Sequence, residues 1–210
     1  MNVLILGASG LVGAHTLRLA LAHPHIAYVI APTRKALPAH EKLANPVSDR
    51  FQTLVSRVPE WAPNALICAL GTTMAKAGSQ ASFREVDYVL PLHFATAAKA
   101  SGASTFALVT AIGAAADSRF FYPRTKGELE RDVQAIGFDS LTIVKPSMIG
   151  GQREEHRAGE SFVLNLSKAL GPTLPKRFRI SPAPNIAAAL IDAVVLGPPG
   201  CHIRFSESLL

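Results

Sequence analysis

Met1-Asn2-Val3-Leu4-Ile5-Leu6-Gly7-Ala8-Ser9-Gly10-Leu11-Val12-Gly13 opens the chain, and its reading decides the fold. A short apolar run enters a glycine-rich turn and then a helix-like stretch reaching Ala22. That context gives a three-glycine pattern meaning. Gly7 permits a tight turn, Gly10 lets the backbone approach a pyrophosphate, and Gly13 allows close helix–strand packing. The amides around Ser9, Leu11 and Val12 then face an anion from a helix N-terminus. A second signal lies about 20 residues on, where NAD binders place a carboxylate for the ribose 2′-hydroxyl. No Asp or Glu precedes Glu41 here, and the second apolar run ends in Thr33-Arg34-Lys35. Two cations at that place favour the 2′-phosphate of NADP over NAD.

Outward from this turn, strand-like and helix-like segments alternate. Strands are expected near residues 2–6, 26–31, 51–55, 65–70, 105–110 and 141–145. His23-Pro24 stops the first helix. Ser82-x-x-Glu85 has the form of a capping box and starts a long helix ending near Gly102, kinked by Pro91. Further helices are expected at 123–136, 161–170 and 185–196, and the residues after 196 carry no assignment. Alternation of this kind predicts a doubly wound α/β domain with a mainly parallel sheet and helices on both faces. Residues 1–210 read as one domain, with 146–210 contributing a small substrate lobe.

Tyr122-Pro123-Arg124-Thr125-Lys126 starts the 123–136 helix. Side chains four apart share a helix face. A lysine cation beside a phenol stabilises the phenolate, and such a phenol can exchange a proton with a carbonyl or alcohol oxygen. Pro123 bears on this pair, because the residue before a proline avoids the α region. Tyr122 is therefore expected at the helix cap.

With these residues assembled, the chain resembles the atypical short-chain dehydrogenases/reductases, in a compact NAD(P)H-binding branch similar to the NAD-dependent epimerases/dehydratases. The resemblance runs through residues 7–13, 69–73, 77–79, 83–87, 112–114, 122–128 and 145–147. It implies a Rossmann sheet of strand order 3-2-1-4-5-6 with cofactor across the strand ends. It implies Leu70, Gly71 and Thr72 beside the cofactor and Pro146, Ser147 and Met148 beside the nicotinamide. Lys126 would bond the nicotinamide ribose and tune Tyr122. The family's catalytic serine falls at Thr110-Ala111, which leaves Thr110 as the hydroxyl that orients the substrate oxygen. Asp87 stands where many relatives carry a helix asparagine. The implied activity is NADP(H)-dependent oxidoreduction of a carbonyl/alcohol pair. The alternative is an NADP(H)-binding regulatory or interaction protein with little or no turnover.

Composition excludes other classes. The chain has 210 residues, 49% hydrophobic and 17% charged, and a mean hydropathy of +0.25, which suits a buried core and not a disordered chain. No apolar run approaches the ~18 residues a membrane span requires. The net charge of +6 forms no continuous basic run. Lys176-Arg177-Phe178-Arg179 reads as a solvated edge or subunit contact, so nucleic acid is not expected and oligomerisation stays open. Arg153 and Arg157 suit an anionic substrate, or pair internally with Glu154, Glu155 and Glu160. Seven histidines and two cysteines show no metal-ligand spacing. Cys68 and Cys201 lie far apart, and the apolar start lacks a basic leader, so a reducing cytoplasm is the expected compartment.

Overall fold

The computed structural model describes residues 1–150 and 175–210. Its centre is a seven-stranded sheet made of β1 (Asn2–Leu6), β2 (Tyr28–Ile30), β3 (Leu43–Ala44), β4 (Ala65–Cys68), β5 (Thr105–Val109), β6 (Ser140–Lys145) and an edge strand (Gly200–Phe205). The order is β3-β2-β1-β4-β5-β6-edge, with every pair parallel. This is the doubly wound Rossmann arrangement. The continuous apolar strands follow from burial on both faces. In β1, Val3 and Ile5 join one core while Leu4 and Leu6 join the other.

Helix α1 (Leu11–Ala22) and a C-terminal helix (Ala183–Leu196) cover the first face. The opposite face packs against α2 (Val58–Trp61), α5 (Leu90–Ala100) and α6 (Phe121–Ile136). Between β4 and α5 lie α3 (Met74–Ala77), α4 (Gln80–Arg84) and a π-helical turn at Glu85–Val89. The C-terminal helix is called α7 below. Two short strands, β7 (Ile149–Gly150) and β8 (Ser181–Pro182), pair parallel beyond the end of β6. The edge strand is accordingly β9.

Several expectations are corrected. Residues 51–55 are no strand but part of a 3-10 helix, Phe51–Arg57, and the third strand is Leu43–Ala44. Phe51, Leu54 and Val58 are the buried residues there, and their spacing of three and four is helical, not alternating. The seventh strand was not assigned because β9 is an exposed edge with polar and apolar residues mixed. The helix cap is Ser79, whose hydroxyl accepts the Ser82 amide at 3.1 Å, rather than Ser82. Where a kink at Pro91 was expected, the helix carries a π-helical turn just before that residue. There the Leu90 amide reaches back to Glu85 O in a widened turn, and Pro91, which has no amide to donate, follows directly.

Candidate active site

Because all strands are parallel, the loops after β1, β2, β4, β5 and β6 meet at one edge of the sheet. The strand order reverses between β1 and β4, and ligands in such sheets bind at this crevice. Gly7 has φ +83°, and a Cβ there would stand 2.7 Å from the Ala69 carbonyl and 2.8 Å from the Leu70 nitrogen. The two loops therefore touch backbone to backbone, which only glycine permits. A Cβ on Gly13 would overlap the Gly7 carbonyl. The Gly10 amide donates to Gly7 O at 2.9 Å, and Gly10 caps α1 without any side-chain hydrogen bond. Ser9 and Gly10 are exposed. First-turn helix amides lacking a side-chain cap, beside a cradle that a Cβ would fill, suit a pyrophosphate.

After β2 the loop is pinned internally. Asn45 Nδ2 donates to Ala31 O at 2.6 Å and to Thr33 Oγ1 at 2.8 Å, while Thr33 Oγ1 donates to Lys35 O at 2.6 Å. Arg34 and Lys35 stand exposed beyond this anchor.

Tyr122 is the second residue of α6, not its cap. Pro123 falls within the first helical turn, where a missing amide has no intrahelical acceptor to lose. Tyr122 and Lys126 therefore occupy successive turns of one face. The Tyr122 ring is half-exposed and rests against Phe83, with centroids 5.6 Å apart. Lys126 is 4% exposed, and its Nζ lies 2.7 Å from Asp87 Oδ1. The other carboxylate oxygen, Oδ2, accepts the Thr72 amide at 2.8 Å. Thus Lys126, Asp87 and Thr72 form a continuous chain of contacts ending two residues from Leu70, beside the Gly7 turn.

Burial disfavours the Lys126 ammonium, but the Asp87 carboxylate, with a smaller contribution from Tyr122, raises its pKa above the ordinary lysine value. The stability it carries is complete below the ordinary lysine range near ~10.4 and is lost only as pH rises through the higher folded value. A stability profile against pH should therefore show an alkaline decline that Lys126→Met removes. An unchanged decline in that variant would contradict the assignment.

Thr110 directly follows β5, at the edge of the sheet where these loops meet. Its hydroxyl donates to Glu130 Oε1 at 2.6 Å in a buried setting. Glu130 Oε2 accepts from Lys145 Nζ at 2.9 Å, and Lys145 also donates to Ala114 O at 3.3 Å. The single hydroxyl proton of Thr110 is thus engaged inside the fold. Glu130, four residues after Lys126, and Lys145 were not singled out as site residues, although i, i+4 spacing from Lys126 was a usable signal. Gly127 was likewise missed as a packing residue. A Cβ there would overlap the Ala115–Ala116 backbone, so it holds α6 against the loop after β5.

Pro146 is buried and Met148 exposed. The Ser147 hydroxyl donates to Arg179 O, tying the turn after β6 to the segment before β8. Arg153, Arg157 and the helix expected at 161–170 lie outside the described residues. Among the described residues, no His, Cys, Asp and Glu group is placed to hold a metal, and no helix is long and apolar enough to cross a membrane.

Solved structures with the same architecture include the Bordetella bronchiseptica enzyme WbmH in complex with NAD+, at a TM-score of 0.73 and 15% identity, over 98% of this chain and 75% of that one. The UDP-Glc/GlcNAc 4-epimerase of Campylobacter jejuni matches at 0.70 and 12% identity, over 99% and 81%. A dTDP-4-dehydrorhamnose reductase ortholog from Clostridium acetobutylicum matches at 0.66 and 18% identity, over 98% and 74%. The fold is the Rossmann α/β arrangement that these epimerase and reductase structures share.

No family model matches the chain. Curated relatives are nearer in sequence. Protein fmp52, mitochondrial, of Aspergillus clavatus is 39% identical over 169 residues, covering 77% of this chain and 72% of the relative. FMP52 of Saccharomyces cerevisiae is 38% identical over 180 residues, covering 81% and 75%. The chain belongs to the Fmp52 family. The expected cytoplasmic location is corrected by these relatives, which are named as mitochondrial.

Proposed function

We propose that this protein is an NADP(H)-dependent oxidoreductase acting on the carbonyl/alcohol pair of a small molecule. The observation that carries the reading is the junction of Tyr122 and Lys126, on one face of α6, with the glycine turn through Asp87 and Thr72. Gly7, Ser9, Gly10, Leu11, Val12 and Gly13 would hold the pyrophosphate, and Arg34 and Lys35 the 2′-phosphate. Leu70, Gly71 and Thr72 would line the cofactor, Lys126 would bond the nicotinamide ribose, and residues 146–148 would flank the ring. Bound there, the cofactor supplies or accepts hydride. Tyr122 holds the substrate oxygen and exchanges a proton with it, and Lys126 stabilises the phenolate. Thr110, at the end of β5, would orient that oxygen by exchanging its hydroxyl contact with Glu130 for it. We read residues 1–210 as one nucleotide-binding domain whose 146–210 part shapes the substrate side.

The neighbours described with NAD support a nicotinamide dinucleotide in this crevice. Choice of NADP rests on Arg34 and Lys35, and thermal melting tests it. A ligand at a hundred times its Kd adds about 2.7 kcal/mol, or roughly 5–10 °C for a chain of this size. NADPH should raise the Tm by that amount and NADH by clearly less, and Arg34→Asp should erase or invert the difference. Equal shifts with both nucleotides in the unaltered protein would overturn the 2′-phosphate assignment.

One observation favours the second reading, an NADP(H)-binding regulatory protein with little turnover. Ala111 lacks a hydroxyl, and the hydroxyl of Thr110 is engaged with Glu130. That protein would show the same nucleotide melting shifts and no carbonyl-dependent NADPH oxidation.

A further inference from the structure

Asp87 sits in the π-helical turn, a geometry frequent at functional sites. Three links bind this turn and its flanks to α6. Arg84 pairs with Glu128, and the Tyr88 hydroxyl donates to Asp132 at 2.7 Å. The third link is the Asp87–Lys126 pair, one residue before Tyr88 on the π-helical side and two before Glu128 on α6, with side chains only 1% and 5% exposed. The Arg84–Glu128 contact is partly open to solvent, whereas the Asp87–Lys126 pair is sealed from water. A buried ammonium without a counter-charge either loses its proton or leaves its site. Asp87 also accepts the Thr72 amide, so one carboxylate contacts both the α6 lysine and the turn after β4.

Resting on the cofactor reading above, we propose that Asp87 is a positioning residue that holds the Lys126 ammonium charged and aimed at the nicotinamide ribose, coupling α6 to the Thr72 turn. An asparagine at this position keeps an oxygen for the Thr72 amide and removes the charge. The charge is therefore the variable that matters, and its effect is confined to the nicotinamide half of the ligand. The adenosine half, seated on the glycine turn and on Arg34, does not sense it.

The experiment measures calorimetric affinities of the full chain for NADPH and for 2′,5′-ADP, which lacks the nicotinamide riboside. Variants are Asp87→Asn, Lys126→Met and the two combined. Asp87→Asn should weaken NADPH about tenfold or more, the scale of one charge-assisted hydrogen bond. Its affinity for 2′,5′-ADP should stay within about twofold. The combined variant should bind NADPH no more weakly than Lys126→Met alone, since both changes remove one interaction. Losses that add, or a parallel loss of 2′,5′-ADP, reduce Asp87 to a purely structural role and overturn the proposal. Should the single variants fail to fold, Asp87→Asn with Lys126→Gln neutralises both partners, and it should retain 2′,5′-ADP affinity while losing NADPH affinity. Equal retention of both ligands in that variant would overturn the proposal. An unaltered protein that binds neither ligand overturns the cofactor reading and this inference together. Binding with additive losses overturns this inference alone.

Discussion

Tyr122→Phe should lower kcat/KM for NADPH-linked carbonyl reduction by about 10²–10⁴, the usual worth of a positioned proton donor. NADPH affinity should change little, because the phenol acts on the substrate oxygen and not on the cofactor cradle. The ring itself survives the substitution, so its packing on Phe83 is kept and folding is not in question. Loss of rate at constant nucleotide affinity would mark an interaction made with the reacting oxygen. An unchanged rate would leave the enzyme reading without its proton donor and favour the regulatory alternative.

The second large effect is on stability. Glu130→Ala should destabilise the protein by about 3–5 kcal/mol, because it leaves the Lys145 ammonium buried without its partner. In a chain of this length that corresponds to a fall in Tm of roughly 6–20 °C. The carboxylate also accepts the Thr110 hydroxyl, so a second buried group loses its partner. Replacing Glu130 and Lys145 together by methionine should recover most of the loss, since a buried ion pair and apolar side chains of similar volume are often equivalent in stability. Thermal unfolding of the three proteins decides this. A Glu130→Ala loss below about 1 kcal/mol would mean that water reaches the pair and that it behaves as a surface contact.

Much of the fold was legible because the relevant signals are local. A strand, a glycine turn and a helix lie within residues 2–22, and each carries its own pattern. The glycines at 7 and 13 are required by backbone clashes that any reader of the motif can anticipate. The Tyr122–Lys126 pair was legible as i, i+4 spacing, while Pro123 made its placement doubtful. Helix geometry resolved that doubt, because a proline in the first turn displaces no intrahelical hydrogen bond.

Errors came where pattern and packing part company. The two-residue strand Leu43–Ala44 is too short to show a period, and Phe51–Arg57 offered apolar residues that suit a strand or a helical turn. The edge strand Gly200–Phe205 has one neighbour and an exposed surface, so no burial pattern is imposed on it. The cytoplasmic expectation rested on cysteine usage and on the apolar start without a basic leader, which are weak guides to a compartment, and the relatives named as mitochondrial overturned it.

The sequence by itself determined the sheet's central strands, the glycine turn and the shared face of Tyr122 and Lys126, since all follow from covalent spacing and local sterics. Only the tertiary structure decided which charges meet. Asp87 and Lys126 are 39 positions apart, and Glu130 and Lys145 belong to different elements, yet each pair is buried at hydrogen-bond distance. The Thr110 hydroxyl meets Glu130 in the same way, across 20 positions of sequence. A buried charge must find a partner, and which partner is within reach depends on how α6 lies across the strand ends.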